Sequence, residues 1–352
     1  MVHIQQTFYQ IRRTAMENMY FVGLDVHKKI IAFCVKQRDG QIISQGTINA
    51  NRTALKLWVH TLPTPWIVAL EATLFTGWIY DFLLNYTEEV KVAHPQMLEA
   101  ITVAKNKNDI SDAEKIADLL RCNLLPECYI QPKGIRELRR VLRYRSLIVR
   151  EIVRMKNKIS GLLMESGIEY DIKKLHGKKY FYNLLEEIEV SEELSQILKM
   201  SRECLEFLKT IDKKIVSGLK IHPEIRERLD RLTTIPGVGS ITALTWILEI
   251  GDPHRFPNIK KAISYCGLCS GQRESGGKQY RGPISKKRNK HLQTILIEAA
   301  KLAPLWNAQL AELYEREKKK GHKNRATLSV ARKLVAYLLA VDKNGRAFEE
   351  RK

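Results

Sequence analysis

The chain has 352 residues, room for two to three domains at ~100–200 residues each. Lys and Arg total 59 against 39 Asp and Glu, a net charge of +20 that points to a polyanionic partner, nucleic acid or an acidic membrane face. An apolar share of 44% excludes a disordered basic tail, six cysteines are too few for a disulfide scaffold, and the longest apolar region, 61–86, is broken by Glu71 and Asp81 before it could span a bilayer.

Residues 1–18 lack an apolar signal core and read as an extension preceding the fold, so the protein is expected to be cytosolic and reduced. Tyr20-Phe-Val-Gly-Leu-Asp-Val has the pattern of a buried strand. Residues 30–36 and 41–48 read as the next two strands, with Asp39-Gly40 as their hairpin turn. A helix over 52–61 follows, then a strand over 66–71 apolar enough to be covered on both faces. Helices over 77–85 and 109–121 flank a short strand over 90–93. This order predicts a mixed α/β layer. After Pro132 the character changes: residues 131–160 hold ten Lys or Arg and two Glu. Val141, Ile148, Ile152, Met155, Ile159 and Leu162 form an apolar seam, and Cys204, Leu208, Ile211 and Ile215 form a second. Together they predict a long helical hairpin of coiled-coil type. From Leu229 a third region holds Ile-Pro-Gly237-Val-Gly239, a helix over 241–250, a helix over 259–266, a loop over 270–279, a helix over 287–302 and an apolar helix over 328–341.

Four features carry chemistry. Asp25 and Glu71 sit within or at the end of apolar strands, where a carboxylate is costly unless compensated. Asp109 and Asp112 are three apart on a helix, so their Cβ atoms lie about 5–6 Å apart. Such a set suits two Mg²⁺ ions at a phosphodiester, although strand-end capping and solvated helix acids would also explain it. Gly237 and Gly239 precede a helix in the manner of a helix-hairpin-helix turn, whose outward N–H groups can meet a phosphate; an ordinary tight loop is the alternative. Glu274-Ser275-Gly-Gly-Lys278, followed by Arg281, Lys286, Lys287 and Arg288, offers a hydroxyl that a phosphate could approach among cations. By residue chemistry Ser270 and Ser285 are equally good nucleophiles, and the strip also reads as a plain DNA contact. Finally, Arg136, Arg139, Arg140 and Arg143 step along one helix face, as do Arg150, Arg154 and Lys158. Like charges stacked this way call for an anion such as a nucleic-acid backbone. Cys266 and Cys269 form a lone C-x-x-C without a second ligand pair and read as small thiols rather than a metal or redox site.

Taken in order, Gly-Leu-Asp25-Val-His-Lys, Ala-Leu-Glu71-Ala-Thr, Lys-Asn-Asp109-Ile-Ser-Asp112-Ala, Ile-Pro-Gly-Val-Gly and Ser275-Gly-Gly-Lys resemble the DEDD transposases of bacterial insertion sequences, the family of the Piv/MooV invertases and the bridge-RNA-guided recombinases. The resemblance covers about 20–340. It implies a RuvC/RNase H-like α/β domain (19–130), a basic coiled-coil hairpin (131–228) and a mainly helical transposase domain carrying the serine loop (229–345). It implies that Asp25, Glu71, Asp109 and Asp112 bind Mg²⁺, two ions per site, and that Ser275 forms a phosphoserine link to DNA. Glu274 stands where the family often has another serine. Donor and target DNA, a structured bridge RNA, a tetramer and a nucleoid-associated bacterial cytoplasmic location are implied partners and setting. The competing readings are a RuvC-like junction resolvase that uses water and two metals, and a non-catalytic basic RNA-binding protein.

Overall fold

The computed structural model describes residues 18–87, 89–101, 108–286 and 288–350. The N-terminal extension up to residue 17 and Lys287 lie outside these. The chain divides into two compact units, one ending at Lys133 and one beginning at Gly134.

The first unit is a five-stranded sheet in the order β3-β2-β1-β4-β5, with β1 Tyr20–Val26, β2 Ile30–Lys36, β3 Ile42–Asn49, β4 Trp66–Glu71 and β5 Val90–Ala93. The first three strands form an antiparallel meander, and β4 and β5 add in parallel on the other side of β1. Gly40 makes the first hairpin possible, since its φ is +98°. Helices α1 Arg52–Val59, α2 Thr76–Leu83, α3 Pro95–Ile101 and α4 Asp109–Arg121 complete the unit. The short α3 was not anticipated. Strand and helix order are those of an RNase H/RuvC-like fold.

The two faces of β1 follow from its alternation. Val22, Leu24 and Val26 point into a core with Ile31, Val35, Leu55, Trp58, Val68 and Leu70. Phe21, Gly23 and Asp25 face the other way. There the residues are small: Ala32 and Cys34 of β2 meet Ala113 and Ala117 of α4. Gly23 lets this helix lie directly on the strand, because a Cβ at that position would come within 2.0 Å of the Ala113 carbonyl oxygen and 2.5 Å of the Ala117 nitrogen. Phe21 packs with Ile116 and Leu120, so α4 runs antiparallel to β1 and its first turn reaches the Asp25 end. Gly23→Ala should therefore push backbone from backbone and cost about 3 kcal/mol or more, measurable as a lower denaturation midpoint; wild-type stability would contradict this packing.

The second unit opens with α5 Lys133–Glu165 and α7 Glu192–Lys220, joined through α6 Lys178–Glu187. They pair antiparallel. Arg145 meets Asp212 at 2.8 Å, and Ile159 and Leu163 share a core with Phe181, Leu198 and Leu205. Two seam positions were misplaced. Val141 is exposed and Leu142 is buried in its stead; Cys204 is exposed and Leu205 is buried. In each case the neighbouring leucine takes the inward position, because a one-residue choice among adjacent apolar residues rotates the face by about 100°. The unexpected α6 supplies Phe181 and Leu184 to this core.

The base of α5, through Ile135 and Leu142, belongs to the largest core of the molecule. That core is built from α8 Pro223–Thr233, α9 Ser240–Ile250, α10 Ile259–Tyr265, α11 Lys290–Leu302, α12 Ala308–Lys319 and α13 Lys323–Asn344. Helix α9 is buried along nearly its whole length, Trp246 included. Two carboxylates lie inside this unit and both are paired with arginine. Asp342 accepts from Arg228 at 2.5 and 2.6 Å and from the Trp246 indole at 2.8 Å. Glu249 accepts from Arg143 at 2.7 Å through each oxygen and from Asn289 at 2.8 Å. The segment expected as a loop over 270–279 is instead a two-stranded ribbon, β6 Ser270–Ser275 and β7 Lys278–Ile284. Its turn is Gly276-Gly277, with φ of +56° and +75°, the conformation a two-residue hairpin requires and side chains resist. Helix α11 starts at Lys290 rather than Lys287, because Asn289 caps it by accepting from His291 and Leu292.

Candidate metal centre and nucleic-acid interface

Asp25 is the last inward residue on its face of β1, only 8% exposed. Burial raises its carboxyl above the ordinary carboxylate value; His27 pulls the other way, and the charges of Asp109 and Asp112 add to the rise. The His27 Nε2 lies 3.0 Å from Asp25 Oδ2 and 3.4 Å from Asp109 Oδ1. Among the described residues, Asp25, His27 and Asp109 are the group whose ligand atoms gather closely enough, within 4.8 Å, to hold a metal ion. A buried carboxylate that burial and neighbouring acids both penalise is relieved by a divalent cation. Two carboxylates and an imidazole suit one.

The other two predicted acids stand beside this group. Leu24 pairs with Leu70 across parallel strands, so one step further Asp25 and Glu71 reach the carboxyl ends of β1 and β4 on the same face. Glu71 is half-buried. Asp112 is held by Lys115 at 2.8 Å, while its charge still acts on Asp25. Asp109 and Asp112 also occupy the first turn of α4, where the helix dipole favours a negative charge. His27 is the member that sequence reasoning passed over. Its signal was present: it stands two residues after Asp25, where the strand period returns to the same face.

In the second unit Ser275 is exposed at the tip of the β6–β7 ribbon, opposite Lys278, and open space surrounds Gly276 and Gly277. Ser270 sits at the ribbon's base opposite Ile284, and Ser285 is half-buried with its N–H bonded to the Cys269 carbonyl. The three serines thus differ in place: Ser270 and Ser275 are both exposed, at the base and the tip of the ribbon, and Ser285 is half-buried. Glu274 accepts from Gln279 across the ribbon at 3.2 Å. Lys278, Arg281, Lys286 and Arg288 are all exposed; Arg281, Lys286 and Arg288 line an open cleft of about 880 Å³ against the ribbon.

Gly237 has φ +84°, and a Cβ there would strike Ala303 at 2.6 Å, so packing alone demands this glycine. Gly239 caps α9 with open space around it, leaving its end accessible. On α5, Arg140, Arg150, Arg154 and Lys158 are exposed, while Arg136 and Arg139 are half-buried. Burial and then the adjacent Arg143 lower the Arg139 guanidinium from its ordinary value. Arg143 is committed to Glu249. Arg154 pairs with Glu151 at 2.9 Å, an exposed contact of small worth. Cys266 is buried, its thiol pushed far up by desolvation, which suits an inert packing role. No helix among the described residues is long and apolar enough to cross a membrane.

Comparison with known proteins agrees with this arrangement. A family model of the DEDD type of IS110 elements, described as Transposase, matches residues 22–167 and so contains all four acids and His27. A second, the Transposase IS116/IS110/IS902 family, matches 229–315 and contains the serine ribbon. The transposase for insertion sequence element IS1111A of Coxiella burnetii is 28% identical over 305 residues, 84% of this chain and 80% of that protein. The transposase for insertion sequence element IS1328 of Yersinia enterocolitica is 26% identical over 339 residues, 95% of this chain and all of that protein. The pilin gene-inverting protein of Moraxella bovis is 28% identical over 144 residues, 40% of this chain and 45% of that protein. With the acid-bearing sheet and the serine ribbon each matched in order, the chain belongs to the DEDD-type transposases of the IS110/IS1111 family, related to the Piv/MooV recombinases.

Proposed function

We propose that this transposase is an RNA-guided DNA recombinase that cuts and rejoins strands through a phosphoserine intermediate. The observation that carries the reading is one chain with both an acidic cluster around buried Asp25 at a strand end and an exposed serine at a glycine turn. A water-using nuclease needs no such serine. Asp25, His27 and Asp109, with Glu71 and Asp112 beside them, would hold the divalent ions, Mg²⁺ at two per site. These supply charge neutralisation at the phosphodiester. The Ser275 hydroxyl attacks phosphorus; the oxygen–phosphorus ester bond forms as the bond to a sugar oxygen breaks, and the serine proton passes to that departing oxygen, leaving a strand hydroxyl. A strand hydroxyl then attacks the phosphoserine, rejoining DNA and returning the serine hydroxyl. Lys278, Arg281, Lys286 and Arg288 offset the charge on the phosphoryl oxygens. Lys287 belongs to the same strip in sequence.

The basic face of α5, with Arg140, Arg150 and Arg154 outermost, holds the backbone of the bridge RNA, and base pairing by that RNA chooses the donor and target sites. Arg136, Arg139 and Arg143 carry the same face toward the body of the unit, and Gly237 and Gly239 present the start of α9 to a DNA phosphate. The coiled-coil pairing of α5 with α7 provides the length for this grip. A tetrameric synapse, in a bacterial cytoplasm and on the nucleoid, is the setting. The test is purification followed by sequencing of the bound RNA. A single species copied from DNA flanking the protein's own gene is expected. A random sample of cellular RNA would overturn the guided reading and leave a basic RNA-binding surface.

A further inference from the structure

The charge inventory along α5 does not close at one place. Between the middle of α5, one face of α9 and the start of α11 lies a cleft of about 410 Å³ with a mainly apolar floor. Five basic groups line it. Arg143 is neutralised by Glu249, and Arg145 by Asp212. Arg150 and Lys290 have no carboxylate partner among the described residues. They approach from different helices; burial lowers the His291 imidazole from its ordinary value, Glu249 opposes this, and Arg143, Lys290 and Arg150 add to the lowering. Cations facing one another over low-dielectric walls repel, and a concave wall focuses their field outward. Glu249 offsets part of this field at His291, but its hydrogen bonds go to Arg143 and Asn289 rather than to Arg150 or Lys290.

The geometry points to this cleft as a seat for a single phosphodiester of a nucleic-acid strand, gripped by Arg150 and Lys290 with His291 beside it. The inference rests on the nucleic-acid-binding reading above and adds to it a defined pocket, separate from the serine ribbon, in which Arg150 of the basic α5 face meets Lys290 of α11. A cleft of this size takes one backbone phosphate with its adjoining sugar. The apolar floor suits the sugar; the two cations suit the charge.

The experiment measures binding of single-stranded RNA and DNA oligonucleotides of one sequence across a salt series, using full-length protein. Replacing both Arg150→Ala and Lys290→Ala should weaken binding several-fold and reduce the log–log salt slope by about 0.7, one phosphate contact on a single strand. Thr294→Trp, which fills the cleft without removing charge, should weaken binding similarly; Ser146→Trp fills it from the α5 wall should the first variant not fold. Lys301→Ala, an exposed cation further along α11 already paired with Glu298 at 2.7 Å, should bind as wild type. Loss on both strand types supports recognition of the shared phosphodiester, and loss on one assigns the cleft to that strand. Wild-type binding by the double variant or by the folded cleft-filling variants would overturn the proposal while leaving the broader reading standing. A wild-type protein that binds neither strand would overturn both.

Discussion

A folded Asp25→Asn protein should lose strand cleavage in Mg²⁺ by about a thousandfold or more, the several kcal/mol that metal-borne charge stabilisation contributes at a phosphoryl group. Nucleic-acid binding should change little, since the second unit carries most of the exposed cations described above. The substitution keeps the shape of the side chain and removes one charge from a buried position beside His27, Asp109 and Asp112. A second readout is independent of activity. A divalent cation should raise the thermal midpoint of the wild type and not of the variant. Because burial holds the Asp25 carboxyl above the ordinary range, protons compete with the cation, and the shift should shrink as pH falls toward that raised value. Cleavage at the wild-type rate by Asp25→Asn would remove this cluster from the reaction.

Ser275→Ala should bind nucleic acid normally yet form no covalent protein–DNA adduct and no recombinant. The hydroxyl is the only group removed, and the turn that presents it is fixed by the positive φ of Gly276 and Gly277, so a folding defect is not expected. Ser275→Cys should retain a trace of activity, a thiolate being a good nucleophile. Ser270→Ala and Ser285→Ala should still form the adduct, since these two stand at the ribbon's base and Ser275 at its tip. Mass spectrometry of a denatured adduct gives the decisive placement. A nucleotide on the Ser270 or Ser285 peptide would reassign the nucleophile. Full cleavage with no adduct from any variant would establish the water-using resolvase instead.

Much of the first unit was legible because its strands are nearly pure patterns. Residues 30–36, 66–71 and 90–93 alternate or run apolar between clear turn signals, and the structure places strands at those bounds. Asp25 and Glu71 were legible for the same reason, a carboxylate against such a background being conspicuous, whereas Asp109 and Asp112 were legible as a pair three apart on a helix. The arginines on α5 were legible as a charged face, and the step of three and four residues along the apolar seam predicted the helix.

Other features depend on contacts distant in sequence. That Arg143 clamps buried Glu249, 106 residues away, commits a candidate phosphate contact to an ion pair. No local pattern announces that, since an arginine's partner is set by which helices pack. His27 joined the metal cluster only because Gly23 lets α4 lie on β1 and carries Asp109 to within 3.4 Å. The serine segment shows the same limit at shorter range. Its residues are too polar for strand periodicity, so composition alone read it as a loop, whereas backbone pairing across Gly276-Gly277 makes it a ribbon. The sequence by itself determined the strands of the first unit, the basic character and the reactive residue types, because these follow from local periodicity and charge. The tertiary structure decided which of those residues meet, which cations are already neutralised and which serine stands at an exposed tip, because those depend on packing between segments far apart along the chain.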